Sequence, residues 1–360
     1  MALMFERRTH PSPASTAERN AILANPGFGK HFTDHMAVAT WTRADGWLES
    51  GVVPYGPFQL DPATAVLHYA QEVFEGLKAY RWADDSIRLF RPELNAARMQ
   101  RSAERLALPA LDETDFLASI EGVVRADRDW VPSGGETSLY LRPFLFASEA
   151  FLGVRPAHRV TYCCIASPAG AYFSGGVKPV NIWVSEKYTR ASPGGTGAAK
   201  CGGNYAASLI AQAEAAEHGC EQVLFADAQE LRYVEELGGM NVYFVRDGQL
   251  HTPELTGSLL EGVTRDSVLA LAADLGLEPV QRRIEVAELL SGMDDGSISE
   301  VFACGTAAVV TPIGALKTAE RSVSVSDPEK FTVTAEIRQR LLDIQYGRAE
   351  DSHGWTRKIS

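Results

Sequence analysis

A single lysine set among glycines and alanines is the feature that most limits how this chain can fold. Residues 194–208 read GGTGAAKCGGNYAAS, with Lys200 near their centre and a helical pattern directly after it. Glycine loses more conformational freedom on folding than any other residue, so such a run needs a physical reason. One reason is that something flat and bulky must lie against the backbone, and an isolated lysine there can hold that group covalently.

The residues of this stretch allow two interpretations and exclude a third. It can be a flexible surface loop with a solvated lysine, which is what a Gly-rich segment usually is. Alternatively, Lys200 can form a Schiff base with a carbonyl cofactor such as pyridoxal phosphate. A phosphate-binding P-loop needs Gly directly before the lysine and Ser or Thr after it, but Ala199 and Cys201 occupy those positions.

Composition excludes several classes of partner. The 360 residues include 46 acidic and 34 basic side chains, and the net charge of -12 argues against nucleic acid or an anionic membrane. None of the five cysteines forms a C-x-x-C pair, which argues against a metal or disulfide framework and favours the reducing cytoplasm. No apolar run of about 18 residues is present, so no membrane span is predicted.

The length is comfortable for two domains, and the composition changes near the middle of the chain. Residues 167–179 are rich in Gly, Pro and Ser and show no helical period, which indicates a linker. We therefore expect an α/β (α+β) protein of two domains. The predicted boundaries are a loose N-terminal tail (1–30), a small α+β domain (31–170), a linker (171–180) and a large domain (181–360).

Helix signals in the first half include two with specific expectations. A helix is predicted to begin at Asp61-Pro62 and to carry one apolar face, formed by Val66, Tyr69, Val73 and Leu77. A second is predicted from Pro92 to Leu106, where Arg98, Arg101 and Arg105 share a face. Such a stripe is normally solvated, but one arginine turned inward would clamp a phosphate, because its planar fork matches phosphate geometry.

Alternating apolar residues predict strands in both halves. In the first half they are 35–41, 46–53, 137–148 and 159–167, and Tyr140 and Arg142 share one face of the third. In the second half, one hairpin is predicted with its turn around residue 228 and a second with its turn at Asp247-Gly248.

Two helix starts and one strand end in the second half offer special chemistry. Asn204 is expected to cap a helix that ends at Gly219 and has an apolar face of Leu209, Ile210, Ala213 and Ala216. Thr264 is expected to cap another helix, whose bare amides would suit an anion. The strand 299–304 runs into Gly305-Thr306-Ala307, where small residues again leave amides accessible.

These stretches together resemble the class IV aminotransferases, pyridoxal 5′-phosphate enzymes of fold type IV, and within them the branched-chain-amino-acid aminotransferases. The matching segments follow the family's order from about Phe28 to Pro312. They are FGKHFTDHM, LHYAQEVFEGLKAYR, NAARMQRSAERLALP, SLYLRPFLF, GGTGAAKCGGNYAAS, EELGGMN, GVTRDSVLALA and GTAAVVTP. The resemblance implies an N-terminal α+β domain and a C-terminal pseudo-barrel β domain with outer helices.

The resemblance also implies roles for individual residues. Lys200 would hold the cofactor as a Schiff base and shuttle the substrate's proton, Glu236 would pair with the pyridine nitrogen, and Tyr205 would bond the phenolic oxygen. Alternation along the strand would send Glu235 to the opposite face. The phosphate would be held by Arg98, Val263, Thr264 and Thr306. The substrate would be held by Phe28, Tyr69, Phe74, Tyr140, Val154, Tyr172, Thr306 and Ala307, with Tyr69 and Val154 coming from the partner subunit of a homodimer.

The implied reaction is reversible transamination of Leu, Ile or Val with 2-oxoglutarate. Relatives of the same fold are D-amino-acid aminotransferases and aminodeoxychorismate lyases, and a phosphate-binding module without activity is a rival from another class. Two positions depart from patterns seen in some family members. Ala308 and Thr311 stand where a C-x-x-C pair can occur, and Gly239 stands where a hydroxyl residue can occur.

Overall fold

A computed structural model describes residues 2–170, 177–325 and 331–359. The chain divides into two compact units, which we call unit 1 and unit 2. Unit 1 comprises Met1–Ser174, Ala199–Gly202 and Ile344–Ser360, and unit 2 comprises Gly175–Ala198 and Gly203–Asp343. The four residues around Lys200 thus belong to unit 1, whereas the chain on both sides of them belongs to unit 2. The domain boundaries expected from the sequence stay a prediction.

The described residues contain both strands and helices along the whole chain. The strands are β1 (His35–Thr42), β2 (Gly46–Pro54), β3 (Glu72–Phe74), β4 (Leu77–Arg81), β5 (Ile87–Phe90), β6 (Ser138–Ala147), β7 (Arg159–Ala169), β8 (Val180–Val184), β9 (Gln222–Ala226), β10 (Val234–Leu237), β11 (Asn241–Arg246), β12 (Gln249–Pro253), β13 (Glu278–Arg282), β14 (Glu300–Gly305), β15 (Val309–Lys317), β16 (Ser322–Ser324) and β17 (Thr356–Lys358). The helices are α1 (Thr16–Ala24), α2 (Ala65–Tyr69), α3 (Pro92–Arg105), α4 (Glu113–Ala126), α5 (Gly202–Glu217), α6 (Val263–Asp274), α7 (Val286–Asp294) and α8 (Thr332–Gln345).

Unit 1 is built on one antiparallel sheet. Its strands run in the order β17-β5-β4-β6-β7-β1-β2, and β3 also pairs with β6. The core includes the fully buried Leu139, Leu141 and Leu145 of β6, each of which contributes about 1.5–3 kcal/mol by its burial. Because side chains alternate along a strand, the opposite face of β6 presents Tyr140 and Arg142.

Unit 2 is built on a mixed sheet in the order β10-β9-β8-β15-β14-β11-β12-β13, with β16 paired to β15. Strand β8 is parallel to β9 and β15, and β12 is parallel to β13. Beyond β13 the chain returns to β10, where the Val234 amide donates to the Ile284 carbonyl at 2.8 Å. The two ends of the sheet are therefore joined by hydrogen bonding, as a pseudo-barrel requires.

The long helix predicted to begin at Asp61-Pro62 is wrong. Only α2 is helical, and Ala70 ends it with a φ of 47° in the left-handed region. The Asp61 carboxylate accepts the Ala63 amide in a turn that precedes Thr64, the residue at the helix N-cap. After Ala70 the chain forms β3 and β4, since Val73, Phe74 and their neighbours favour a half-buried pleated surface over a helix.

The predicted details of α5 are also wrong. Leu209 and Ile210 are exposed, with Ala213 and Ala216, whereas Asn204, Ser208, Ala211 and Ala215 are buried. Asn204 is not the cap: its side chain binds both the hydroxyl and the carbonyl of Thr196, at 2.7 and 2.8 Å. The face of α5 that packs against the protein is made of small residues, whereas the prediction assigned the larger apolar residues to the buried face.

The N-terminal segment is more ordered than a loose tail. The Arg8 amide donates to the Val52 carbonyl at 2.8 Å, and Ser15 forms a capping box with Glu18 at the start of α1. Other predicted elements are confirmed, among them β1, β2, α3, β6, β7 and the hairpin at Asp247-Gly248, where both residues have positive φ. Within the described ranges, no helix is long and apolar enough to cross a bilayer.

Candidate active site

The main chain of Lys200 is fixed on both sides in unit 1. Its amide donates to the Ser102 hydroxyl of α3 at 2.9 Å, and its carbonyl accepts the Phe74 amide at 2.9 Å. The ammonium nitrogen lies 4.8 Å from the centre of the Phe74 ring. Lys200 itself is half-buried, while Ala199 and Cys201 on either side are buried in the unit 1 core. The lysine is therefore presented from a rigid base and does not belong to a mobile surface loop.

Two glycines beside Lys200 are required by close contacts within the chain. A Cβ at Gly202 would collide with the Glu72 carboxylate, which accepts the Gly202 amide. In unit 2, a Cβ at Gly197 would collide with the Ser258 carbonyl. The expected reason for these glycines was a ligand lying against the backbone. At these two positions the chain's own polar groups supply the reason instead.

Arg98 is turned inward, as the arginine stripe on α3 allowed, but it meets a carboxylate that the sequence did not indicate. Its Nε and Nη2 donate to the two oxygens of Glu75 at 2.7 and 2.8 Å, and Asn95 donates to Glu75 at 2.8 Å. Arg98 and Glu75 are both buried, whereas Arg101 and Arg105 are exposed. Burial favours a raised pKa for Glu75, but Arg98, with Lys200 and Asn95, holds that pKa below its ordinary value.

Aromatic residues gather near Lys200 in unit 1. Phe28 meets Tyr140 edge to face with ring centres 5.0 Å apart. Arg142 donates to the Tyr140 hydroxyl at 3.0 Å, and its guanidinium lies 4.9 Å from the centre of the Phe74 ring. The Arg142 Nε is buried with no hydrogen-bond partner among the described residues. Arg142 was thus missed as a site residue, although its shared face with Tyr140 was the available signal.

Two predicted pocket residues are not brought into this group, and a third is not among the described residues. Tyr69 is exposed and its hydroxyl donates to the Leu152 carbonyl. Val154 is 89% exposed, as expected of a side chain offered to another subunit, although that role stays a prediction. Tyr172 lies outside the described residues.

Glu236 in unit 2 is held by three donors. Arg190 pairs with it directly, the Leu260 amide donates at 3.0 Å, and Asn241 donates at 3.3 Å. Burial raises the pKa of Glu236, and Arg190 opposes that rise. Arg190 also donates to the carbonyls of Gly197 and Ser258, at 2.9 and 3.0 Å. Sequence reasoning missed Arg190, because nothing in its neighbourhood separates it from a surface arginine.

Glu235 is buried as well, so exposure does not distinguish the two carboxylates. Ser258 donates to one of its oxygens, and in the part of the chain that the structure describes the other oxygen, Oε2, has no partner. Burial raises the pKa of Glu235, with the Ser258 hydroxyl and Arg190 opposing. All four positions of β10 are buried, and its pairing with β9 is irregular between Val234 and Leu237.

The start of α6 is formed next to Glu236. Gly262 is the N-cap, with Val263 and Thr264 in the first turn, so the prediction that Thr264 is the cap is wrong. A Cβ at Gly262 would collide with the Asn241 side chain, which also donates to the Leu260 carbonyl at 3.2 Å. Asn241 therefore ties the Glu236 carboxylate to the turn that opens the helix. Amides in that first turn suit an anion.

The turn after β14 carries backbone strain. Thr306 and Ala307 are half-buried, and Val309 follows with a φ of 61°. A β-branched residue in the left-handed region costs about 1–3 kcal/mol, and such strain concentrates at functional sites. Strand β14 pairs with β11 so that Cys304 lies opposite Asn241, which places this turn beside the start of α6.

Tyr205 lies beside the turn that follows Glu236. Its ring edge is 3.8 Å from where a Cβ of Gly239 would stand, and the residue is half-buried in the first turn of α5. Unit 2 thus brings a phenol, a charged carboxylate network and two amide-rich turns into adjacent segments.

Comparisons with known proteins agree with this chemistry. The family described as amino-transferase class IV matches residues 72–316. The chain is 55% identical to the branched-chain-amino-acid aminotransferase of Mycolicibacterium smegmatis, over 99% of both chains. It is 56% identical to the probable branched-chain-amino-acid aminotransferase of Streptomyces coelicolor, again over 99% of both.

Solved structures give the same result. The branched-chain amino acid aminotransferase of Escherichia coli superposes with a TM-score of 0.74 at 29% identity, covering 90% of this chain and 100% of that one. A second branched-chain amino acid aminotransferase, solved with pyridoxamine 5′-phosphate, gives 0.74 at 30% identity, covering 90% and 99%. The predicted fold is confirmed, and this chain belongs to the class IV aminotransferase family.

Proposed function

We propose that this chain catalyses reversible transamination of branched-chain L-amino acids (Leu, Ile, Val) with 2-oxoglutarate, giving branched 2-oxo acids and L-glutamate. Relatives that bear the branched-chain name align over nearly its whole length. The observation that carries the proposal for the site is the fixed Lys200, whose main chain is held by Phe74 and Ser102 while its half-buried side chain reaches over the Phe74 ring.

Pyridoxal 5′-phosphate is the cofactor, and the residues present fit it. Branched-chain amino acid aminotransferases of this fold have been solved with pyridoxamine 5′-phosphate and in complex with N-(5′-phosphopyridoxyl)-L-glutamate. A cationic ring nitrogen needs an anionic partner, and unit 2 offers the buried carboxylates of Glu235 and Glu236. When bound, the cofactor supplies an electron sink that makes the proton on the substrate's Cα removable.

The chain's own residues are proposed to divide the remaining work. Lys200 Nζ would hold the cofactor and would move the proton at the substrate's Cα. Glu236 would hold a negative charge for the ring nitrogen, and Tyr205 would offer a donor to the phenolic oxygen. The phosphate is proposed to be held by Arg98, Val263, Thr264 and Thr306. The substrate is proposed to be held by Phe28, Tyr69, Phe74, Tyr140, Val154, Tyr172, Thr306 and Ala307.

The function is tested by following glutamate formation with a panel of amino acids and 2-oxoglutarate. Turnover with Leu, Ile and Val that depends on the 2-oxo acid supports the proposal. Preference for D-amino acids, or pyruvate release from aminodeoxychorismate without any 2-oxo acid, would favour the other activities of this fold.

We infer the assembly from two exposed residues of unit 1, and we infer the compartment from the state of the cysteines. The exposed Val154 and Tyr69 suit a homodimer in which each chain lends them to its partner's pocket. All five cysteines are buried and free, which suits the reducing cytoplasm. Sedimentation of the purified chain tests the dimer, and a monomer with full activity would contradict it.

Replacing Arg98 by alanine is expected to lower the affinity for the cofactor by about 10- to 100-fold. A charge-assisted hydrogen bond contributes about 1.5–3 kcal/mol, and about 1.4 kcal/mol corresponds to tenfold in affinity. Because Glu75 would remain buried without its cation, the free energy of unfolding should also fall by about 3–5 kcal/mol. Titration of the folded apoprotein with pyridoxal 5′-phosphate measures the first effect, and denaturant unfolding measures the second.

The matched control is Arg101→Ala, on the next turn of the same helix but exposed. It should change neither quantity appreciably. Equal cofactor affinity in the Arg98→Ala variant and the wild-type protein would contradict the phosphate role of Arg98.

Replacing Arg142 by leucine is expected to weaken the binding of 2-oxoglutarate much more than the binding of branched 2-oxo acids. The pocket wall of Phe28, Phe74 and Tyr140 is apolar, which suits Leu, Ile and Val, but 2-oxoglutarate brings a second carboxylate. The Arg142 Nε is a buried donor that bonds no other group of the described chain, and the guanidinium is proposed to receive that carboxylate. We expect KM for 2-oxoglutarate to rise about 10- to 100-fold, from about 1.5–3 kcal/mol per charged hydrogen bond.

KM for a branched 2-oxo acid should change little in the same variant. Steady-state kinetics with both acceptors makes the comparison, and Arg125→Leu on the exposed face of α4 serves as control. A parallel rise in both KM values would assign Arg142 to general packing.

A further inference from the structure

The carboxylate of Glu75 in unit 1 is buried and is bonded by several neighbouring groups. The residue has no exposed surface, and its two oxygens accept four hydrogen bonds. Arg98 donates through Nε at 2.7 Å and Nη2 at 2.8 Å, Asn95 at 2.8 Å, and the Gly76 amide at 3.2 Å. Such a network leaves the carboxylate one orientation, and it imposes one orientation on the guanidinium that it binds.

One face of α3 connects this network to the lysine. Asn95, Arg98 and Ser102 are spaced three and four residues apart, so they share a helix face. Asn95 and Arg98 bind Glu75, while Ser102 binds the Lys200 amide at 2.9 Å. On the strand side, Phe74 precedes Glu75 and its amide binds the Lys200 carbonyl. Glu75 therefore lies at the junction between Arg98 and the Lys200 segment.

The presence of an acid beside a phosphate-binding arginine has an electrostatic cost. It cancels the charge of Arg98 and repels a phosphate dianion, so attraction alone would favour a neutral residue here. A buried ion pair is also weak evidence for stability, because apolar residues of the same volume often do as well. The gain must therefore be orientational. A free arginine side chain has many rotamers, and a bidentate partner removes that freedom before the ligand binds.

We propose that Glu75 is a positioning residue of the cofactor site, which fixes the Arg98 guanidinium for the phosphate and ties it to the Lys200 segment. The inference rests on the proposed phosphate role of Arg98. It assigns to Glu75 no contact with substrate or cofactor. Because Glu75 also interacts electrostatically with Lys200, the part of its effect that passes through Arg98 is recognised by its dependence on a phosphate on the ligand.

The test compares two ligands of the full-length apoprotein, pyridoxal 5′-phosphate and pyridoxal, which lacks the phosphate. In Glu75→Gln the affinity for pyridoxal 5′-phosphate should fall about tenfold, while the affinity for pyridoxal should stay within about twofold. Glu121→Gln is the matched control, because Glu121 is also paired with arginines in unit 1, on α4. It should leave both affinities unchanged.

A double-mutant cycle shows whether the effect passes through Arg98. In an Arg98→Ala background, Glu75→Gln should have no further effect on the affinity for pyridoxal 5′-phosphate. Equal weakening of both ligands by Glu75→Gln, or full additivity with Arg98→Ala, would overturn the inference and leave a structural ion pair. If Arg98→Ala itself does not discriminate between the two ligands, the proposed phosphate role fails, and that result is distinct from failure of Glu75 alone.

A milder variant covers the case in which Glu75→Gln does not fold. Asn95→Leu removes one donor to Glu75 but leaves the pair with Arg98 in place. It should weaken pyridoxal 5′-phosphate about threefold and leave pyridoxal unaffected. An unchanged ratio of the two affinities in this variant would also overturn the inference.

Discussion

A Lys200→Ala variant is expected to lose turnover by on the order of 10⁴-fold, the upper range for removal of a proton-transferring group. The loss follows from the way the lysine is presented. Its main chain is bound by Ser102 and Phe74, so the amine is presented from a fixed position. The phosphate contacts proposed for Arg98 and for α6 do not involve the lysine, and cofactor should therefore still bind, without covalent attachment.

Two measurements check this expectation. Absorption spectroscopy should show free-aldehyde cofactor in the variant in place of the attached form, and borohydride reduction of the wild-type protein should label Lys200. Lys187→Ala is the control, because that lysine is exposed and lies 5.0 Å from the Tyr188 ring. It should keep the absorption band and the activity. Wild-type turnover in Lys200→Ala, or label on another lysine, would contradict the assignment.

Local patterns predicted the parts of the fold that depend on local physics. Alternation along β6 placed Tyr140 and Arg142 on one face, and their hydrogen bond confirms it. The spacing of arginines on α3 allowed one to turn inward, and Arg98 is that one. Positive φ at both residues of Asp247-Gly248 also follows from local physics, since a two-residue hairpin loop requires it.

Partners that come from far along the chain could not be predicted. Glu75 is 23 residues from Arg98, and Arg190 is 46 residues from Glu236. No period or propensity links such positions, and only the folded chain shows that the carboxylates are already engaged by arginines. Asn241 is a similar case, because its two bonds define the approach of Glu236 to α6 but its sequence context is an ordinary strand start.

The wrong helix after Asp61 has a different cause. Apolar residues at three- and four-residue spacing are present, but the same residues are aromatic or β-branched and also suit strands. Tertiary pairing decided between the two, since β3 and β4 both bind β6. The exposed face of α5 shows the opposite error, in which large apolar residues were assigned to a core that small residues fill.

Replacing Glu236 by glutamine is expected to leave cofactor attached to Lys200 but to slow transamination by about 10²- to 10³-fold, the usual loss when one preorganised electrostatic contact is removed. The ring nitrogen must stay protonated to draw electrons from the substrate's Cα, and a carboxylate in contact favours that charged form. Glutamine keeps the shape and one acceptor oxygen. Its amide group, however, would present a donor toward Arg190, so the network that fixes this side chain would also weaken.

Glu235→Gln is the matched control, and the structure makes it a demanding one. Glu235 is the neighbouring residue, is equally buried, and has an oxygen that meets no donor among the described residues. We expect its replacement to be nearly silent in rate, since Glu236 receives three donors that hold its charge in place, whereas Glu235 receives one, from Ser258.

The deciding measurement is single-turnover kinetics of both variants with leucine deuterated at Cα. In Glu236→Gln, proton removal should become the slow step, so the isotope effect should grow as the rate falls. In Glu235→Gln, the rate and the isotope effect should match those of the wild-type protein. A slow Glu235→Gln with a normal Glu236→Gln would move the ring-nitrogen contact one residue back along β10. Normal rates in both variants would mean that the partner of the ring nitrogen is some residue other than the two carboxylates of β10.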